Sequence, residues 1–405
     1  MRKTPVAWKR LLHVMGGLAP LAYGVWRWSG LVSIHTLLIA GGLFFTAAVV
    51  LAGGRAVRLL AEFTQAAITL AFLDLALRHV RLPDLVNALR HLNLWLVLAG
   101  MLAFTTAVWF RGYRWFFLLE GRGKVRRLDA VNATYISYFG NYALPARAGE
   151  LIRIVVLGER TGVSKATATA SVFMEKIADL LTLVLIILCL LGFTALGGPA
   201  LRFIVGIGVA ITAVLISVMV GAVVLRKIFP LEDGEEKVGS EGRIRRFLHF
   251  FVEGMRPASR PAHMGRFLLY SGIVWIFATY ACYIFLSSQG LIDWLDGFSR
   301  AGPIASTLLL IVLVNASTLI PAGPGSAGPY QAAVMLAFTL MGAGSMEAGS
   351  VAYHNAAAFS ILLWIGQALP SVVVGGILFF RSGLTVQILR TAEREAAEAM
   401  MPSDG

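Results

Sequence analysis

Three charged residues at regular spacing stand in a stretch that lies between long apolar segments. The stretch runs from Phe139 to Arg153 and carries Arg147, Glu150 and Arg153, with Asn141 ahead of them. A spacing of three places the charges on one side of a helix, and charges at membrane depth face a bundle interior and a partner. One positive charge is left over, which a phosphate can match because the guanidinium fork fits its oxygens. The alternative is an interfacial loop whose long side chains reach water.

The same stretch contains residues that interrupt a helix, namely Gly140, Pro145 and Gly149. Proline suits the start of a helix, and glycine allows two backbones to approach closely. Irregular backbone at membrane depth is tolerated only when it is buried in protein or lines a wet cavity. We therefore expect this stretch to form the functional centre.

A second charged cluster, Glu175, Lys176 and Asp179, lies near the start of a later apolar run. On a helix Glu175 and Asp179 share one face, since they are four residues apart. These carboxylates are natural partners for Arg147 and Arg153. The pattern predicts an intramembrane network of mixed sign, and the alternative is a structural lock that never touches a substrate.

A third feature is the stretch from Pro321 to Pro329, which consists almost entirely of glycine, proline, alanine and serine. It cannot continue a helix, so we predict a break between the apolar segments before and after it. Broken helices place half-helix ends near the middle of many transporters, and an N-terminus near Tyr330 would favour an anion. The residues assigned to this break are Pro321, Gly323, Pro324, Gly325 and Gly328.

The composition identifies the elements that must position these residues. Hydrophobic residues make up 58% of the chain and charged residues 14%, with a mean hydropathy of +0.76. Soluble proteins average about 45–50% apolar and about 25% charged residues. The sequence therefore predicts an all-α, polytopic membrane helical bundle of about ten spans, with re-entrant or broken helices. The net charge of +13 is typical of cytoplasmic loops in membrane proteins, so we expect no nucleic-acid partner.

The candidate spans are apolar runs of helical length. They are Leu11–Trp28, Ile34–Leu51, Leu59–His79, Leu94–Leu118, Ala166–Phe193, Arg202–Leu225, Phe267–Ser287, Pro303–Ile320, Tyr330–Met341 and Val351–Phe380. The last run is long enough to tilt or to contain a break near Pro370. Leu128–Leu157 fits no simple span.

Lysine and arginine counts give the topology. If Leu128–Leu157 enters and leaves on one side, one set of loops and ends holds 24 basic residues and the opposite set holds 3. This split predicts a multi-pass protein of the cell inner membrane with both termini in the cytoplasm. A single crossing by that segment would instead move the nine basic residues of Arg226–Arg266 outside.

The chain divides into three parts by the same criteria. Residues 1–58 hold two additional N-terminal spans, residues 59–380 form the transmembrane core with a basic loop at 226–266, and residues 381–405 form an amphipathic cytoplasmic tail. The loop is interpreted as a solvated linker and topological anchor, and its alternative role is to grip anionic headgroups. The tail is expected on the membrane surface or against that loop.

Several of these residues in order resemble a known family. Arg114-Trp115, then Asn141, Leu144-Pro145, Arg147, Gly149-Glu150 and Arg153, then Glu175-Lys176 and Asp179, are similar to the lysylphosphatidylglycerol synthase transmembrane-domain family of flippase-like proteins. The segment Pro321…Pro324-Gly325…Gly328…Gln331 resembles its C-terminal signature. The resemblance implies re-entrant helices around a central cavity that moves a lipid or lipid-linked headgroup between leaflets. The soluble aminoacyl-transferase domain of the bifunctional members has no counterpart here, so lysyl-lipid synthesis is not expected.

We therefore expect a flippase-like protein that translocates an anionic phospholipid or a polyprenyl-phosphate-linked lipid. The expected substrate-binding residues share charge or hydrogen-bonding capacity: Arg114, Asn141, Arg147, Glu150, Arg153, Glu175, Lys176 and Asp179. The alternatives are a membrane-embedded glycosyl- or headgroup-transferase, with Glu150, Glu175 or Asp179 as base or metal ligand, and a non-transporting scaffold of the cell envelope. Common hydrolase and phosphate-loop motifs are missing from the sequence, so we expect no enzyme, cofactor or metal. Cys189 and Cys282 are read as small apolar residues, and His354 as a packed polar residue.

Overall fold

The computed structural model describes residues 65–77, 80, 82–121, 124–144, 149–193, 206, 208, 261–292, 302–320, 322–341 and 350–382. Two of the expected spans, Leu11–Trp28 and Ile34–Leu51, lie outside the described residues. The same holds for Arg202–Leu225 apart from residues 206 and 208, for the basic loop except its end at 261–266, and for the tail beyond residue 382. The statements below concern the described part.

This part of the chain is helical, which confirms the all-α prediction. In chain order the helices are α1 (Gln65–Leu77), α2 (Leu82–Arg90), α3 (Leu94–Leu119), α4 (Arg127–Ala143), α5 (Gly149–Thr161), α6 (Lys165–Phe193), α7 (Pro261–Ser288), α8 (Gly302–Ser317), α9 (Pro329–Leu340) and α10 (Val351–Arg381). A 3-10 turn at Pro324–Ser326 lies between α8 and α9.

Three of these helices are long and apolar enough to cross a membrane: α3, most of α7 from Gly265, and α10. Large apolar side chains are exposed around them, including Leu102, Ile276 and Phe380. Such faces fit a lipid surrounding, in which an exposed apolar side chain carries no hydration cost. The helix α10 continues through Pro370 without interruption, so the break considered there does not occur.

Side-chain caps define where two of the long helices begin. The Asn93 side chain accepts hydrogen bonds from the Trp95 and Leu96 amides at the start of α3, and Ser350 accepts one from Tyr353 at the start of α10. These caps satisfy amides that have no partner within the helix.

The predicted interruption in Leu128–Leu157 is present, because α4 ends at Ala143 and α5 begins at Gly149. The two helices pack closely: a Cβ atom built on Gly140 would lie 2.8 Å from the Cα atom of Gly149. On Gly149 it would collide with the Ser137 carbonyl oxygen. Only glycine therefore permits this approach, as the sequence predicted. Pro145 and Arg147, between the two helices, lie outside the described residues.

Two apolar cores hold the bundle. One contains Phe285, Leu310, Phe338 and Phe359 from α7 to α10, and the other is centred on Trp115 with neighbours from α3 to α6. The charged residues of α3, α5 and α6 lie close to the second core. The cavity described below is lined by residues of these helices and by residues of α7, α8 and α10.

Candidate functional site

Seven charged side chains on three helices form a chain of ion pairs with alternating sign. In order of contact the members are Arg111, Asp179, Arg114, Glu175, Arg153, Glu150 and Lys176. Four are cations and three are carboxylates, and a cation stands at each end. We call this set the charge chain. It is the network of mixed sign that the spacing predicted.

Glu175 on α6 is the middle member, and its side chain is fully buried. One carboxylate oxygen accepts a hydrogen bond from Arg114 Nη2 at 3.0 Å, and the other accepts one from Arg153 Nη1 at 2.9 Å. Arg111 Nη1 lies 3.9 Å from the first oxygen. This single carboxylate therefore joins α3 to α5 through α6.

Asp179 lies one turn further along α6 and binds two arginines of α3. Its oxygens accept from Arg114 Nη1 and Arg111 Nη1, both at 2.8 Å. Arg114 also donates to the Ser271 hydroxyl of α7 at 3.3 Å. Because Arg111 and Arg114 are three residues apart, they project from the same side of α3 toward one carboxylate.

Glu150 on α5 completes the other end of the charge chain. Its carboxylate lies 2.5 Å from Arg153 Nη2, in an ion pair that is not aligned as a hydrogen bond, and accepts a hydrogen bond from Lys176 Nζ at 2.6 Å. The Lys176 side chain is 41% exposed, whereas that of Arg153 is 2% exposed. Burial therefore decreases from the middle of the charge chain toward this end.

Aromatic rings cover the two most buried arginines. The Arg153 guanidinium lies 4.8 Å from the centre of a Trp115 ring, and that of Arg114 lies 5.3 Å from the Phe267 ring. The Nε atoms of both arginines have no hydrogen-bond acceptor among the described residues. The ring faces offset part of this loss, since a cation is attracted to the ring quadrupole.

A cavity of about 320 Å³ opens beside the charge chain. The charged lining residues come from α3, α5 and α6: Arg111, Glu150, Arg153, Glu175, Lys176 and Asp179. The helices α8 and α10 contribute the apolar residues Leu310, Ile311, Val314 and Leu363 together with the polar Asn315 and Gln367. Arg114 does not contribute to the lining. The cavity thus combines charged and apolar lining residues.

The glycine-proline break forms another part of the cavity lining. Gly325 and Ser326 line the cavity, and the Gly325 carbonyl accepts a hydrogen bond from Trp364 Nε1 of α10 at 2.9 Å. Gly325 has a φ of +64°, and a Cβ there would lie 2.6 Å from the Tyr142 ring of α4. The end of α4 and the break between α8 and α9 therefore meet at the cavity.

The break is held from two further directions. The Gly323 amide donates to Thr69 Oγ1 of α1 at 2.7 Å, and the Gly328 amide donates to Gln331 Oε1 at 2.7 Å. Gln331 is therefore a cap at the start of α9, which begins at Pro329 beside the predicted Tyr330. Pro321 lies outside the described residues.

The structure brings most of the candidate binding residues together. Arg114, Glu150, Arg153, Glu175, Lys176 and Asp179 all belong to the charge chain, and Asn141 lines the cavity. Arg147 cannot be placed, because it lies outside the described residues. Whether these residues bind a substrate stays a prediction.

Arg111 is the member that the sequence reasoning missed. It was treated as part of an apolar span, although its position three residues before Arg114 was a readable signal. Of the other single residues, Cys282 is buried among apolar neighbours, whereas Cys189 is exposed on α6. His354 is a packed polar residue, as expected: it contacts the Ser350 carbonyl and, at 3.3 Å, the Asp84 carboxylate.

The apolar helices and the charged cavity define a helical membrane protein with a polar site inside the bundle. A family model described as the lysylphosphatidylglycerol synthase TM region matches residues 63–366. The chain belongs to this family, and it is a multi-pass membrane protein. Neither the curated proteins nor the solved structures contain a match to it.

Proposed function

We propose that this protein moves an anionic lipid, or a lipid-linked anionic headgroup, between the leaflets of the cell inner membrane, with both termini in the cytoplasm. The observation that carries the proposal is a cavity lined by both charged and apolar residues. A lipid has the same two parts, a charged headgroup and apolar chains. A phospholipid and a polyprenyl-phosphate-linked lipid both fit this description.

The charge balance favours an anion. The charge chain has four cations and three carboxylates among the described residues, so it carries one excess positive charge. A bound phosphate would neutralise this excess. Arginine also matches phosphate oxygens through its planar fork.

The helix lengths favour a re-entrant arrangement at this site. At a rise of about 1.5 Å per residue, α4 is about 26 Å long, α5 about 20 Å and α9 about 18 Å, all shorter than the roughly 30 Å hydrocarbon core. Short helices that end at a cavity leave backbone groups available to a ligand. The meeting of Tyr142 and Gly325 at the cavity supports two opposed helix breaks around one site.

The transferase alternative receives less support from the geometry. A general base must be free to contact the group from which it takes a proton. Each carboxylate of the charge chain is already engaged by at least two cations. Translocation requires only that the cations exchange a carboxylate partner for the anionic headgroup.

The test uses purified protein in vesicles that contain a fluorescent phosphatidylglycerol, with an impermeant reductant that bleaches the outer leaflet. Protein-free vesicles should lose about half of the signal, and vesicles with the protein nearly all of it. Ala278→Trp, which fills the cavity from α7, should slow the loss of signal from lipid that starts in the inner leaflet. Ile276→Trp is the matched control, because Ile276 lies two residues away on the same helix and is 67% exposed.

Loss of only half the signal with the wild-type protein would refute translocation of this lipid, and equal rates for the two tryptophan variants would refute passage through the cavity. The transferase alternative has its own readout. Covalent modification of the lipid by purified protein with a headgroup donor, abolished in Glu150→Gln, would favour that alternative.

A further inference from the structure

We infer that the four cations of the charge chain divide into two kinds: the end cations Arg111 and Lys176 bind the substrate anion, and the inner cations Arg114 and Arg153 lock the helices together. This inference deepens the proposed function and rests on it for the identity of the anion as a lipid phosphate. It separates Lys176 from Arg114 and Arg153, which the sequence pattern placed in one binding set, and it adds Arg111.

Each inner cation is engaged by two carboxylates. Among the described residues, only Nε of each arginine, and Nη2 of Arg153 in its ion pair with Glu150, have no hydrogen-bond acceptor. Arg114 uses Nη1 for Asp179 and Ser271 and Nη2 for Glu175. Arg153 uses Nη1 for Glu175 and Nη2 for Glu150. Both side chains are almost completely buried, with exposed fractions of 0% and 2%. A phosphate that bound Nη1 or Nη2 of either arginine would have to displace a carboxylate from it.

The end cations differ in both respects. Arg111 uses only Nη1, and its Nη2 and Nε have no partner among the described residues. Its side chain is 15% exposed and lines the cavity. Lys176 has one carboxylate partner in the charge chain, is 41% exposed and also lines the cavity.

The order of the charges makes release of an end cation cheap. If Arg111 turns to a phosphate, Asp179 keeps its 2.8 Å hydrogen bond from Arg114. If Lys176 does so, Glu150 keeps its ion pair with Arg153. In both cases no carboxylate is left buried without a cation, which is the costly event in a buried ion pair. Removal of Arg114 or Arg153 instead takes a partner from two carboxylates at once.

The planar fork also makes the two ends unequal. Arg111 can offer Nη2 and Nε together to two oxygens of a phosphate, whereas Lys176 offers a single ammonium group. Arg111 is therefore the more specific contact for a phosphate. Lys176 adds positive charge without fixing the orientation of the ligand.

The experiment compares two matched pairs of variants that each remove one positive charge: Arg111→Gln with Arg114→Gln on α3, and Lys176→Gln with Arg153→Gln. Binding of short-chain phosphatidylglycerol is measured per folded protein in detergent, and thermal stability is measured on the same samples. Arg111→Gln should weaken binding about tenfold or more, as loss of a charged hydrogen bond does, with little change in melting temperature. Arg114→Gln and Arg153→Gln should show the larger fall in melting temperature and the smaller fall in affinity. Arg111→Lys should bind between the wild type and Arg111→Gln, because it keeps the charge and loses the fork.

Two further ligands test the identity of the anion. Short-chain diacylglycerol, which has no phosphate, should bind equally to the wild type and Arg111→Gln. Inorganic phosphate at the same concentration should not displace phosphatidylglycerol, because it has no apolar chains to contact the apolar lining residues. Displacement at equal concentration would show a site for free phosphate and overturn the lipid assignment.

The inference and the proposed function fail in different ways. If the end variants bind phosphatidylglycerol as the wild type does, or the inner variants lose affinity by the larger factor, the division of roles is overturned even where lipid still crosses. If the wild type binds the lipid in an Arg111-dependent manner but does not move it between leaflets, translocation is overturned and the binding site stands.

Discussion

Glu175→Gln is the substitution whose effect the structure defines most closely. Glutamine keeps the shape of the side chain and removes its charge, so one of the two hydrogen bonds from Arg114 and Arg153 must be lost where an amide N–H replaces a carboxylate oxygen. Breaking a buried ion pair costs about 3–5 kcal/mol. Each arginine retains another carboxylate, Asp179 for Arg114 and Glu150 for Arg153, which favours the lower end of that range. We expect a loss of about 3 kcal/mol in the free energy of unfolding, or a factor of about 150 in the folding equilibrium.

The assay is equilibrium unfolding in mixed detergent micelles, followed by the loss of helical signal. Glu159→Gln is the matched control, because Glu159 is an exposed glutamate on α5. The double variant Glu175→Gln, Arg153→Gln isolates the pair, since two substitutions in one ion pair do not add. It should lose less stability than the sum of the single variants.

A stability of Glu175→Gln equal to that of Glu159→Gln would refute the reasoning, because a fully buried carboxylate between two guanidinium groups could not then be a structural joint. Strict additivity in the double variant would refute the pairing with Arg153 in particular. Either result would mean that the charge chain in solution differs from the one described here.

Two further predictions concern the helix hairpin and the topology. Gly149→Ala should destabilise the fold, because a Cβ atom there collides with the Ser137 carbonyl oxygen. The control Gly265→Ala should not, because a Cβ atom there meets open space. Equal melting temperatures for the two variants would refute the close packing of α4 on α5. A cysteine placed within Glu232–Glu241 should resist an impermeant thiol reagent in intact cells and react after lysis, because the distribution of basic residues puts that loop in the cytoplasm; labelling of intact cells would reverse the orientation.

The sequence predicted the helices and the presence of a charge network because both follow local rules. The apolar runs set the length of α3, α6 and α10, and a spacing of four put Glu175 and Asp179 on one face. The glycine-proline stretch cannot continue a helix. Accordingly, α8 ends before it and α9 begins at its last residue, Pro329. Each of these features depends on residues close together in the chain.

The pairing of the charges was predicted only in part. Glu175 does bind Arg153, but the described partners of Asp179 are Arg111 and Arg114. The difference comes from how α3 crosses α6, because this crossing brings Asp179 beside the arginines of α3. Spacing within one helix does not encode such a crossing, so the sequence could supply the charges but not their order.

The order of the charges has a consequence for how a substrate could act on the bundle. Every ion pair of the charge chain that joins two helices includes α6, through Glu175, Lys176 or Asp179. On the division between end and inner cations, a phosphate that takes Arg111 from Asp179 replaces one anionic partner with another, so the arginine is never left without one. The joint between α3 and α6 then loses one contact and keeps the two made by Arg114. An uncharged lipid offers no replacement partner, and the same displacement would leave Arg111 unpaired inside the bundle at a cost of several kcal/mol. If the end cations bind the substrate, an anionic headgroup would loosen the contact between α3 and α6, whereas a neutral headgroup would not.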